Sequence, residues 1–238
     1  MRNPKSNKTI EGALDATHYL EVHPEIPVLL CGILKDYYQT NGRDFPWRRT
    51  RDPYKVLVAE MLLQKTAVKP VEKLWPAFMH RYPNIETLAT APLTDLETMI
   101  GLLGLKKRAI ALYNVAQAIV RQMNGKIVGD IEFLESLPGI GDYTASAVLS
   151  FAFDISVATI DVNAARVYTR ICGFLPNTLR QGLAFAHIMS KYVIAEKDHR
   201  EINYGLLDLA AQICKPKPLC SKCPAYKLCQ YASENSKQ

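Results

Sequence analysis

The sequence has no run of about 18 apolar residues, so no segment of it reads as a membrane span. Its start, MRNPKSNKTIEG, lacks a hydrophobic signal core, which points to a cytoplasmic or nuclear protein. Strand signals are scarce. The β-branched run ISVATI at 155–160 is the best candidate, and it has no visible partner. No internal repeat of fixed period is present. The five histidines form no i, i+4 pair, so none is assigned to a metal. Twelve glycines and fourteen prolines are spread along the chain, which excludes a low-complexity or collagen-like protein.

What remains is a chain of 238 residues, long enough for one large domain or two small ones. Lys plus Arg is 29 against 23 for Asp plus Glu, a net charge of +6. That excess permits a polyanionic partner without requiring one. Apolar residues recur at three- and four-residue spacing from Pro27 onward, as in VLLCGILKDYYQT. Further helical patterns cover about 53–66, 67–81, 84–90, 93–101, 106–124, 130–136, 142–153, 161–173, 179–195 and 201–213. The fold class is therefore all-α. Residues 1–26 read as a loose arm and 230–238 as a polar tail. Trp47 and Trp75 read as core residues. Cys31 and Cys172 sit in apolar helices and read as buried fillers.

Four of the six cysteines crowd into the segment 214–229, a spacing that suits a metal site better than a secreted disulfide scaffold. Cys214, Cys220, Cys223 and Cys229 follow C-x5-C-x2-C-x5-C. Four thiolates can hold a [4Fe–4S] cluster or tetrahedral zinc. Lys215, Lys217 and Lys222 lie between them and could meet phosphates.

Leu137-Pro138-Gly139-Ile140-Gly141 separates two helical patterns, IEFLES and DYTASAVLSFAF. A Gly-x-Gly turn brings bare backbone N–H groups to the surface, and the next helix adds its positive end. Such a turn can hold a phosphate, or it can be an ordinary helix connector. Asp161 opens another helix about 20 residues on, in IDVNAARVYTRICG. An Asp there is a favoured N-cap, and it can also be a carboxylate at a pocket mouth. Glu60 stands alone in the apolar helix DPYKVLVAEMLLQKT. It either faces solvent or is buried at a cost that favours its neutral, proton-donating form.

The stretch LPGIGDYTASAVLSFAFDISVATIDVNAARV resembles the helix-hairpin-helix, Gly/Pro-rich loop and Asp signature of the base-excision DNA glycosylases. That family includes endonuclease III, the adenine glycosylases of the MutY type and the thymine mismatch glycosylases of the archaeal MIG type. The resemblance runs from about residue 28 to 229. It implies two helical lobes. One is a six-helix barrel over 50–155 with the hairpin. The other combines 27–49 and 156–229 with the cysteine loop, and a cleft between the lobes holds the flipped base.

The resemblance also implies a [4Fe–4S] cluster on the four cysteines, although the family's usual first gap is one residue longer. It implies catalytic roles for Glu60 and Asp161. Gly139, Ile140 and Gly141 become DNA-binding, as do Gln64, a wedge for the gap left by a flipped base, and Lys65. Bifunctional relatives carry a Lys where alignment on LPGIG places Tyr143. A tyrosine cannot form a Schiff base, so a monofunctional hydrolase is expected. Lys106-Lys107-Arg108 is a basic cluster that could contact phosphates.

The excised base is read less directly. FPWR, DPYKV and MLLQ resemble adenine glycosylases. Leu102-Leu103-Gly104-Leu105-Lys106 lacks their aromatic pair, and Lys65 replaces their second Gln. INYGLLDLAAQIC and the pairing of Tyr with Asp resemble the MIG type, and the chain ends soon after the cysteines without the C-terminal domain of adenine glycosylases. A monomer excising T or U opposite G from double-stranded DNA is the favoured expectation. Adenine excision opposite G or 8-oxoguanine is the alternative. A non-catalytic DNA-binding scaffold and a phosphate-binding zinc protein are the readings of other classes.

Overall fold

The computed structural model describes residues 15–101, 103, 106–194 and 197–235. They are helical and contain no strand. The helices are α1 (residues 15–22), α2 (Ile26–Asn41), α3 (Pro53–Leu63), α4 (Val68–Arg81), α5 (Ile85–Ala89), α6 (Leu93–Gly101) and α7 (Lys106–Met123). They continue with α8 (Ile131–Ser136), α9 (Asp142–Ala152), α10 (Val162–Ile171), α11 (Leu179–Val193), α12 (His199–Gln212) and α13 (Gln230–Asn235). The local sequence explains many of the starts. Asp52, Asn84, Asp130, Asp161 and Thr178 each cap a helix with a side-chain oxygen. Pro27 and Pro53 sit in first turns, where the missing N–H costs nothing.

The chain divides into two compact units. Asp44–Ile155 is one of them and holds α3 to α9. Among the described residues these are seven α-helices, one of them the five-residue α5. At its centre α3 packs against α4, α7 and α9. Tyr54 and every residue from Val56 to Leu62 are buried, so α3 is a core helix, apolar except for Lys55 and Glu60. Trp47 and Trp75 are buried edge to face, ring centroids 5.4 Å apart.

The other unit combines the residues up to Arg43 with those from Ser156 on. Its core joins Leu30 and Leu34 of α2, Tyr168 of α10, Phe185 and Met189 of α11, and Leu206 and Leu209 of α12. Cys172 is buried and Cys31 half-buried among them. Arg43 donates its backbone N–H and its Nε to the fully buried Asp208, at 2.8 and 2.6 Å.

Two expectations are corrected. Residues 15–22 are a helix and not a loose arm, because Ala16 and Leu20, one turn apart, bury on the core of this unit. Residues 230–235 likewise form α13, which packs against α10 and buries Ala232. The rest of those two segments, 1–14 and 236–238, lies outside the described residues. The run 155–160 is not a strand. Its backbone is satisfied by a side chain instead: Asn203 donates to the Val157 carbonyl at 2.8 Å and accepts from the Thr159 N–H at 3.0 Å. Among the described residues no helix is long and apolar enough to cross a membrane.

α2 packs against α12, where Gly205 lies against the Leu34 carbonyl and a Cβ would collide with that oxygen. Alanine normally stabilises a helix interior by about 1 kcal/mol over glycine. Gly205→Ala should do the reverse and lower stability by about 1–3 kcal/mol, as overpacking does. Thermal melting of the two proteins checks the sign.

Candidate active site

The hairpin between α8 and α9 is built from both ends. Leu137 and Ile140 are buried, while Pro138, Gly139 and Gly141 are exposed. Gly139 has φ +81°, which glycine adopts without strain. Gly141 has an ordinary φ of −113°, and a Cβ there would meet nothing within 4 Å. The fold itself therefore does not need a glycine at 141. Its bare backbone leaves room for another molecule to approach the start of α9, which no side chain caps. Ile140, expected to be DNA-binding, is a buried member of the turn. Its side chain is 6% exposed and its N–H donates to the Leu137 carbonyl at 3.2 Å. It anchors the turn, because the only large apolar residue of Gly-Ile-Gly is drawn into the core.

The end of α3 is tied to this hairpin. Gln64 Nε2 donates to the Gly139 carbonyl at 3.1 Å and to Thr144 Oγ1 at 3.3 Å. Gln64, the expected wedge, is held against the hairpin by these bonds. The helix stops at Leu63, short of the expected Thr66, because Lys65 has φ +53°. Lys65 is exposed. Arg108 is not part of a solvated basic cluster. It is 7% exposed, and burial lowers its pKa. Nη1 donates to the Leu62 carbonyl at 2.8 Å and to Thr66 Oγ1 at 2.6 Å, and Nη2 donates to the Gln64 carbonyl. Lys107 is exposed. The Lys106 side chain, Leu102, Gly104 and Leu105 lie outside the described residues.

Glu60 does not face solvent. It is 8% exposed within α3, between buried Ala59 and Met61. Tyr143 is half-buried in the first turn of α9, the helix that packs against α3. A carboxyl buried this deeply is a proton donor when neutral and is costly as an anion unless partnered.

Asp161 lies in the other unit. Oδ1 accepts from the Asn163 and Ala164 N–H groups at 2.9 and 2.8 Å, and Oδ2 accepts from Asn163 Nδ2 at 2.6 Å. A hydrogen-bonded path continues from there. Arg166 Nη1 donates to Asn163 Oδ1 at 3.0 Å, and its Nε donates to the Cys214 carbonyl at 2.8 Å. The Asp161 carboxylate is thereby fixed on α10 and joined to the first cysteine.

Cys214, Cys220, Cys223 and Cys229 line one small pocket with Ile213, Pro218 and Ala232. Burial pushes the Cys223 thiol up to about 11, and the neighbouring Cys214, Cys229 and Cys220 add to it. Burial also raises the Cys229 thiol. Four thiols gathered in an apolar pocket fit a thiolate-bound centre, whose positive charge would reverse that shift. Among the described residues no three His, Cys, Asp or Glu side chains are arranged to hold a single metal ion. Arg170 clasps the loop. It donates to Cys214 Sγ at 3.5 Å, to the Lys215 carbonyl at 2.6 Å and to the Pro216 carbonyl at 3.0 Å, with its guanidinium 4.7 Å from the Tyr231 ring centre. Sequence reading missed Arg166 and Arg170. Their spacing of one helical turn was the available signal.

Residues 58–183 match the sequence pattern of the HhH-GPD superfamily base excision DNA repair proteins. The chain belongs to that superfamily. The matched segment spans Glu60, the hairpin and Asp161 and stops before the cysteines. Within the superfamily, the chain is similar to a thymine/uracil-DNA glycosylase of Methanothermobacter thermautotrophicus, 34% identical over 82% of this chain and 89% of the relative. It is also similar to an adenine DNA glycosylase of Mycobacterium tuberculosis, 35% identical over 79% of this chain and 63% of the relative. A solved thermostable thymine-DNA glycosylase superposes with TM-score 0.79 at 31% identity, covering 87% of this chain and 97% of that one.

The cap role of Asp161 is separable from any chemical role. Asp161→Ala should cost about 1 kcal/mol, the usual loss for a helix cap. Asp161→Asn keeps an oxygen for the two backbone donors and should melt within a few tenths of a kcal/mol of the parent. Urea titration of the three proteins tests this ordering.

Proposed function

We propose that this HhH-GPD protein is a monofunctional DNA glycosylase that removes thymine or uracil opposite guanine from double-stranded DNA, acting as a monomer at the chromosome, whether in a nucleoid or a nucleus. The observation that carries the reading is the buried Glu60 on α3, with a tyrosine and not a lysine at 143 on the helix packed against it. The similarity to the thymine/uracil-DNA glycosylase over 89% of its length supports the choice of base.

The reaction follows from the side chains. A mismatched nucleotide is extruded from the duplex, since its glycosidic bond is out of reach inside the stack. The exposed glycines of the hairpin and the positive end of α9 take a phosphate, and Lys65 takes another. Glu60 donates a proton or a hydrogen bond to the departing base. Asp161, oriented by the α10 backbone and Asn163, stabilises the cationic sugar and orients water. Two carboxyl groups divide these roles in glycosidases for the same reason, the oxocarbenium character of the transition state. Tyr143 offers no amine, so no Schiff base forms and the strand stays intact. Cys214, Cys220, Cys223 and Cys229 would hold a [4Fe–4S] cluster, which would supply a structural cross-link for the loop that Arg166 and Arg170 brace.

Duplexes carrying T·G, U·G, A·G and A opposite 8-oxoguanine, incubated with the protein and split with and without hot alkali, test the reading. Alkali-dependent cutting of T·G and U·G is expected. Cutting at A alone supports the adenine reading, which the Mycobacterium tuberculosis relative also favours. Cutting without alkali contradicts the role given to Tyr143. Glu60→Gln should slow single-turnover excision about 10²–10⁴-fold, the range for a lost general acid, with DNA binding retained. Purified protein should be brown and contain iron and acid-labile sulfide. Zinc without sulfide would contradict the cluster assignment.

A further inference from the structure

We propose that Arg108 is a positioning residue that holds the Gln64–Thr66 loop in a strained shape so that Lys65 meets a DNA phosphate, an inference that rests on the DNA-binding reading above. Two features of the loop call for an explanation. Lys65 has φ +53° at a position where a helix ordinarily ends on glycine or asparagine. A glycine there would end α3 without strain. Arg108 is a nearly buried guanidinium whose donors go to carbonyl and hydroxyl oxygens. Burying a guanidinium for that purpose is costly.

Together the two features make one device. The last carbonyls of α3 have no partner within the helix. Arg108 takes those of Leu62 and Gln64 and also the Thr66 hydroxyl, so it grips the loop on both sides of Lys65. Gln64 fixes the same loop to the Gly139 carbonyl and Thr144 of the hairpin. Lys65, exposed between these anchors, is set beside the hairpin's exposed glycines. Strain of this kind persists only where the surroundings over-determine it, and it collects at binding sites.

The test is the salt dependence of binding to an undamaged duplex, measured for the parent, K65A, R108M and the double variant. K65A should lower the slope of log K against log salt by about 0.9, the value for one lost phosphate contact. R108M removes no surface charge, yet it should lower the slope by the same amount. The double variant should fall no further than either alone. A parental slope in R108M, or additive losses in the double variant, overturns the proposal. If R108M does not fold, R108K replaces it under the same criteria, since one ammonium cannot reproduce the guanidinium fork. K65G, which relaxes the backbone but lacks the amine, should match K65A, and K65R should keep the parental slope. A parent that does not bind duplex DNA sinks the proposed function along with this inference. A parent that binds while R108M keeps its slope sinks this inference alone.

Discussion

An all-helical chain with many short helices has many helix ends, and each end leaves backbone groups without partners inside the helix. How those groups are satisfied governs this structure. Among the described residues, five starts carry an Asp, Asn or Thr cap. Three helix ends lie where the chemistry is proposed. α9 begins at Gly141 with no capping side chain, beside exposed backbone. α3 ends without glycine and borrows the guanidinium of Arg108. α10 begins at Asp161, whose cap is also the proposed catalytic carboxylate. One geometric need, the closing of helix ends, thus bears on the Gly141 backbone, the Lys65 loop and the Asp161 carboxylate.

The same need extends to the cysteine loop, which has little regular structure of its own beyond two short 3-10 turns. Its backbone carbonyls at Cys214, Lys215 and Pro216 are taken by Arg166 and Arg170, one turn apart on α10. Because Arg166 also holds Asn163, and Asn163 holds Asp161, the loop and the carboxylate share one short helix as their support. Disturbing the loop therefore has a direct route to the orientation of Asp161.

Much of this was legible in the sequence because it is local. Helix periodicity, the Gly-x-Gly turn, the Asp cap and the crowded cysteines are all written within a few residues of one another. What was not legible depends on partners far along the chain. Asn203 satisfies a backbone segment 44 residues away, and Arg108 reaches a carbonyl 46 residues away. A basic residue in a Lys-Lys-Arg run reads as solvated surface, and only the packing of α7 on α3 turns Arg108 inward. The burial of Ile140 was not legible for a similar reason, since the hairpin signature does not say which of its residues point inward. α1 and α13 were missed because one or two small apolar residues, Ala16, Leu20 and Ala232, suffice to dock a short helix on a formed core.

The central claim is hydrolytic removal of a pyrimidine from a mismatch with guanine. Its most direct test is the mass of the products. A T·G duplex and a U·G duplex are each reacted to completion, and the released small molecule and the remaining strand are weighed. The account predicts free thymine or free uracil and an unbroken strand lighter by the base and heavier by water. Release of adenine only from A-containing duplexes, or a strand cleaved at the lesion, would contradict it.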